Sequence, residues 1–345
     1  MAGGKTVTTT QPLRTTRTRT ADAPARPGVR ASHIRTVPRA LAHRHAVAEV
    51  FVTSLEAEAA DSFVVGAQLP RMHGHYGDHA GALAAHHDLI AVMEAARQAS
   101  IAVTHEFYGV PTEMAFLVRT FNGTGIDSAA WEIGSAPADL ELRVRALRAH
   151  HRGEHLEGLD LVLDISCDGV AMGTVDGSFS WVNPRQWAAI RTGYRKHLGL
   201  GPFETPASAG PRAAAAQVGR ENPRNVVIGV PEATTRRARA AVIADTTHPI
   251  LFDHQLDHVP GNLLIEACRQ TALTTMGGRL PRLISVTSAF DQFVELDLPT
   301  VCVAERSESG VDATVVHCEI RQAGAIAARI DLEFAAAAPE EDGGR

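Results

Sequence analysis

Lysine is almost missing from this chain. Lys5 and Lys196 are the only two in 345 residues, and arginine carries nearly all the positive charge. With the heavy use of alanine, this points to a GC-rich genome and says nothing about mechanism. Cysteine is also scarce: Cys167, Cys268, Cys302 and Cys318 are scattered, with no C-x-x-C pair. That pattern excludes a disulfide framework and predicts reduced, buried thiols in a cytoplasmic protein. No run approaches the roughly 20 apolar residues of a membrane helix. The N-terminus has no apolar core of a secretory signal. A net charge of −6 implies no broad basic face, which argues against nucleic acid as a partner. Gly-x-Ser-x-Gly and His-Glu-x-x-His are both absent, leaving a serine nucleophile or a zinc site without support.

What is present is a soluble globular composition, 45% hydrophobic and 21% charged, with enough length for two domains. The stretch Gly261-Asn262-Leu263-Leu264-Ile265-Glu266-Ala267-Cys268-Arg269-Gln270 reads as a buried helix with one acid among apolar residues. Glu266, Arg269 and Gln270 share a helix face. A carboxylate there must be paired, be neutralised or do chemistry. The pattern occurs twice: Met93-Glu94-Ala95-Ala96-Arg97-Gln98 precedes Ile265–Gln270 by a constant 172 residues. His73 and Asp78 align with His248 and Asp253 at an offset of 175. This is an internal duplication.

The segmentation follows. Residues 1–36 are rich in Thr, Arg and Pro and are expected to form a disordered arm. Residues 37–198 form a first domain, 199–223 a Gly/Pro/Ala linker, 224–336 a second domain and 337–345 an acidic tail. Each domain reads strand, strand, loop, long helix, then several strands. The opening strands are expected at Ala46–Val52 and Ser62–Ala67, and at Val226–Val230 and Arg237–Ala244. The fold class is α+β: an antiparallel sheet wrapped around a long central helix, twice in tandem.

Phe252-Asp253-His254-Gln255-Leu256-Asp257-His258-Val259-Pro260-Gly261, with the helix after it, resembles the hotdog β-hydroxyacyl-carrier-protein dehydratases. A closer resemblance is to the AfsA family of γ-butyrolactone synthases. It rests on Phe63–Arg71, the His73/Tyr76 loop, Glu94–Gln98, Gly109-Val110-Pro111, Asp257–Gly261, Glu266–Gln270 and Phe290–Asp297. The resemblance implies a pseudo-dimeric double hotdog. It also implies transfer of a β-ketoacyl group from acyl-carrier protein to a hydroxyl of dihydroxyacetone phosphate, then closure to a butenolide phosphate. No cofactor is implied, because the acyl group arrives on the carrier's phosphopantetheine. Alternatives are a hotdog thioester dehydratase or thioesterase, and a non-catalytic binder of acyl ligands.

Acyl transfer needs a base, an oxyanion stabiliser and an orienting slot. Glu266 and Glu94 are the candidate bases, with ion pairing to Arg269 and Arg97 as the alternative. His258 and His254 occupy the loop where the dehydratases carry their catalytic histidine. Arg269 and Arg97 suit a phosphate, with Gln270 and Gln98 beside them. Gly261 and Asn262 open the helix and offer backbone N–H groups to an oxyanion. His73 either lines the site or braces its loop. No metal ligand set is expected.

Overall fold

The computed structural model describes residues 10–11, 28–203, 206–207, 210–307 and 313–336. Each repeat is built on its helix. The first, α1, spans Leu89–Tyr108 and is buried along Leu89–His105 except at Arg97. The second, α3, spans Gly261–Leu273 and is buried from Leu263 onward. Both helices are buried over these lengths and mostly apolar outside the one Glu-x-x-Arg-Gln face.

In the first repeat the strands are β1 (Val52–Ala59), β2 (Ser62–Leu69), β3 (Ala115–Gly125), β4 (Ala138–Arg152), β5 (His155–Cys167) and β6 (Val170–Val182). They pair antiparallel in the order β1-β2-β4-β5-β6-β3. Their sequences alternate as a half-buried sheet requires. In β4, Leu140, Leu142 and Val144 are buried while Asp139, Glu141 and Arg143 face outward. Gly123 of β3 passes so close to α1 that a Cβ there would lie 2.8 Å from the Met93 side chain. Phe107, near the end of α1, stacks on Phe63 of β2. Helix α2 (Pro184–His197) follows β6, with a full capping box between Asn183 and Gln186.

In the second repeat the strands are β7 (Glu232–Ala233), β8 (Arg237–Ala241), β9 (Leu283–Phe290), β10 (Thr300–Arg306), β11 (Ala313–Gln322) and β12 (Ala325–Ala335), with α3 between β8 and β9. The order is β9-β12-β11-β10-β8-β7, antiparallel throughout. Helix α3 packs on β8 to β12. Each repeat is thus a helix laid on an antiparallel sheet, the expected α+β class. Among the described residues no helix is long and apolar enough to cross a membrane.

Contacts divide the chain into two units. Among the described residues, those up to 71 with 91–130 and 134–202 form one; 72–90, 131–133 and those from 203 to 336 form the other. Four expectations change. The loop 72–90 goes with the second unit, not the first domain. The described part of the expected linker 199–223 holds a 3-10 turn at Ala215–Val218 against α3. Ala46–Val52 is not one strand, because a 3-10 turn occupies Val47–Glu49 before β1 begins. Val226–Val230 likewise makes only isolated bridges, Ile228 to Val242 and Gly229 to Arg212.

Of the expected arm, 1–9 and 12–27 lie outside the described residues, as does the tail 337–345. Residues 28–36 are held against the sheet: Ala31 N–H donates to Glu141, and the His33 ring bonds Leu140 O.

The turn at Ala215–Val218 ends on Gly219, whose φ of 71° is the left-handed conformation an L side chain resists. Gly219→Ala is expected to lower the unfolding free energy in urea by about 1 kcal/mol.

Candidate active site

Glu266 lies on α3 and is completely buried. Its Oε1 receives Arg220, with Nη2 at 2.7 Å and Nε at 3.1 Å. Its Oε2 meets Nη2 of Arg269, one turn along the helix, at 2.5 Å. Gln270 donates to Oε1 at 2.5 Å and to Asn225 O at 2.8 Å, while Val227 N–H donates to Gln270 Oε1 at 2.9 Å. The carboxylate is therefore held between two guanidiniums, and the glutamine fastens this cluster to the chain entering the repeat.

The first repeat builds the same clamp. Glu94 is bonded by Arg97, with Nε at 2.8 Å and Nη2 at 2.9 Å, and by Arg44. Gln98 donates to Glu94 and to Glu49 O, and accepts from Phe51 N–H, each at 2.8 Å. Burial alone would raise the Glu94 carboxyl, but Arg44 and then Arg97 outweigh it and hold the group well below the usual carboxylate range.

Arg44 and Arg220 are the residues the sequence reading missed. Each follows a left-handed residue, His43 at φ 49° and Gly219 at φ 71°. Each then closes a wide turn through its own N–H, Arg44 to Arg39 O at 3.0 Å and Arg220 to Ala215 O at 2.9 Å. The turn aims the side chain inward. Gly-Arg is a visible signal in the second repeat; histidine replaces the glycine in the first and hides it.

The second clamp extends further. Arg269 Nη1 also holds Asp88 Oδ2 at 2.8 Å, within the same unit. Asp88 receives His79 Nε2 at 3.1 Å and Ile90 N–H at 3.0 Å. Burial would raise the Asp88 carboxyl, but Arg269 and then His79 hold it well below the ordinary range. The corresponding position before α3 is Pro260, which has no side chain to cap with. Only the arginine of the second helix therefore faces this additional acid.

Beside that extension is a pocket of about 410 Å³, its open mouth included. Its polar lining is His79, His86, His87, Asp88, Arg269 and Arg282; Val218, Leu273 and Leu283 are among its apolar walls. His87 is pushed below its ordinary pKa by burial and by His86, which favours neutral imidazole there.

The expected site residues separate on this evidence. Glu266 and Glu94 adopt the ion-pair alternative, and neither lines the pocket. A carboxylate already holding two guanidiniums and an amide makes a poor base. Gln270 and Gln98 fasten backbone. Arg269 reaches the pocket, whereas Arg97 is engaged by Glu94 in the first unit. His258 Nδ1 lies 2.7 Å from Asp257, and His254 Nδ1 lies 3.7 Å from Asp253. Gly261 and Asn262 form the first turn of α3. None of these last four lines the pocket. His73 braces its loop: its Nδ1 accepts from His75 and Tyr76 N–H, as His248 Nδ1 does from Ile250 and Leu251. Cys268, Cys302 and Cys318 bring their sulfurs within 4.8 Å of one another, a donor set suited to a soft cation. Burial pushes the Cys268 thiol up, which favours core packing as the protonated form.

The AfsA family, described as an A-factor biosynthesis hotdog domain, matches residues 28–183 and 205–338. The chain belongs to the AfsA family. Its similarity to a 2-oxo-3-(phosphooxy)propyl 3-oxoalkanoate synthase of Streptomyces virginiae is 33% identity over 270 residues, 78% of this chain and 87% of that protein. A protein of the same name from Streptomyces coelicolor is 32% identical, over 76% of this chain and 80% of its own length. Among solved structures, one described as an oleoyl thioesterase from Lactobacillus plantarum aligns with a TM-score of 0.52 at 11% identity, over 81% of this chain and 97% of that one. This last likeness shows the fold alone. The AfsA match covers both repeats, so the duplicated clamp lies within the family's own domain.

Depressed carboxyl pKa values set the acid limit of the fold. A group whose folded pKa is lowered stabilises the protein above its unfolded value, about 4 for carboxyls, and loses that contribution as pH falls. The urea unfolding free energy is expected to begin falling as pH drops below about 6.5, where the buried histidines His75, His87 and His248 resist protonation that the unfolded chain accepts, and to fall further below about pH 4 as the carboxyls protonate. Glu94→Gln is expected to cost about 3 kcal/mol at pH 7 and to make the acid slope shallower.

Proposed function

We propose that this AfsA-family chain is an acyltransferase that joins a 3-oxoacyl group to dihydroxyacetone phosphate. The observation that carries this reading is the shared name of the Streptomyces relatives, one matched over 87% of its length. A 2-oxo-3-(phosphooxy)propyl 3-oxoalkanoate is the ester of those two parts. The hydroxyl oxygen attacks the thioester carbonyl, the C–O bond forms, the C–S bond breaks and the carrier thiol is regenerated. The methylene between the two carbonyls of the acyl group is acidic. It is placed to attack the triose ketone and, with loss of water, to close a five-membered butenolide. The product class is a γ-butyrolactone signal.

The pocket supports the reading. Two guanidiniums, Arg269 and Arg282, line it, donors that suit a phosphorylated triose. Arg269 is held by Glu266 and Asp88, and the half-buried Arg282 is the second guanidinium lining the pocket for the phosphate. The second clamp sets the pocket floor by fixing Arg269. The acyl donor is an acyl-carrier protein, which places the reaction in the cytoplasm, and the reading calls on no resident cofactor.

Purified protein mixed with a 3-oxoacyl carrier protein and dihydroxyacetone phosphate is expected to give the phosphorylated ester by mass spectrometry. Release of free acid at the same rate without the triose would instead indicate a thioesterase. Arg282→Ala is expected to raise KM for the triose phosphate at least about tenfold, with kcat changed by less than about threefold.

A further inference from the structure

We infer that His79 is the general base of the transfer, positioned by Asp88, so that the working base comes from the loop before α1 rather than from either central helix. This rests on the acyl transfer proposed above. Three imidazoles line the pocket, His79, His86 and His87. His86 directs its Nδ1 at Ala82 O, and His87 is tied through its backbone N–H to Trp131 O. His79 is the one paired with Asp88, and it is buried.

The geometry selects a tautomer. Asp88 is an ionised carboxylate, able only to accept. Its Oδ2 lies 3.1 Å from His79 Nε2, so that nitrogen carries the proton in both charge states of the ring. The lone pair of neutral His79 is then on Nδ1. Asp88 is itself immobilised by Arg269 Nη1 at 2.8 Å and by Ile90 N–H at 3.0 Å. An imidazole fixed in this way can take the hydroxyl proton of the acceptor, and the imidazolium that results faces a carboxylate. The proton passes from the hydroxyl to Nδ1 as the C–O bond forms. It passes from Nδ1 to sulfur as the C–S bond breaks, and the ring ends as it began.

The helix acids have no such capacity. Glu266 is held by Arg220, Arg269 and Gln270, and Glu94 by Arg44, Arg97 and Gln98. Among the described residues, the charged and titratable groups around the His79–Asp88 pair include Arg220, Arg269, Arg282, His86 and His87, with Glu266 behind the two clamp arginines and Asp78 next to His79 in the chain. Asp88 is the anion bonded to the ring.

The test uses the full chain. Long-range 15N–1H spectra of wild-type protein, with the His79 ring assigned through its backbone, should show neutral His79 protonated on Nε2. A proton on Nδ1 overturns the assignment without any assay. With a 3-oxoacyl carrier protein and dihydroxyacetone phosphate, His79→Gln should lower kcat at least about 100-fold, with KM for the triose within about threefold. Asp88→Asn should move the acid limb of the kcat/KM profile to lower pH, because removing the anion makes the imidazolium more acidic. Near-wild-type kcat in His79→Gln refutes the base role while leaving the acyl transfer intact. An inactive wild-type enzyme refutes the transfer itself and the base role with it.

Discussion

A buried carboxylate gripped by two guanidiniums is the interaction on which both repeats are built. Taking these charges out of water is costly, and their mutual attraction offsets that cost only when the geometry is good and the remaining hydrogen-bonding groups are satisfied. Here one guanidinium comes from the same helix and the other from a turn before the first strands of the repeat. The glutamine one turn after the acid then ties the cluster to the incoming chain. The clamp thereby fixes where each helix sits beneath the segment that leads into its repeat. Hydrophobic burial alone, being non-directional, would leave that position less defined.

The duplication kept this device and changed what surrounds it. Glu94, Arg97, Gln98 and Arg44 have counterparts in Glu266, Arg269, Gln270 and Arg220; the glutamine bonds repeat atom for atom, while the arginines meet the acid through different sets of nitrogens. The difference lies at the helix starts. Asp88 stands before α1 and Pro260 before α3. Asp88 joins the unit that contains α3, so Arg269 meets two acids while Arg97 meets Glu94. A structural clamp in one repeat has become the floor of a polar pocket in the other.

Much of the fold was legible because the signals were local. The alternation in β4 and β5, the mostly apolar helices and the repeated Glu-Ala-x-Arg-Gln each report a feature within a few residues. Family membership was legible for the same reason, since its motifs are short and contiguous. The clamp was half legible: Glu266 with Arg269 is an i,i+3 pair, but Arg220 is 46 residues away and is brought in by a turn. The His79–Asp88–Arg269 chain was not legible, because 181 residues separate its acid from its arginine and nothing in either neighbourhood names the other. Misplaced strands have a physical cause too. Val50-Phe51 and Val226-Val227 are apolar and strand-like, yet Phe51 and Val227 give their N–H groups to the glutamines.

The account makes the acid on the helix a structural anchor and moves the chemistry to the loop beside it. That division depends on Arg220 and Glu266 acting on each other inside the folded protein. A double-mutant cycle on unfolding free energy, using Arg220→Leu, Glu266→Leu and the double variant, measures that dependence directly. The account predicts a coupling of at least about 2 kcal/mol, with the double variant more stable than the sum of the singles implies. Additive single effects, with coupling near zero, would contradict it.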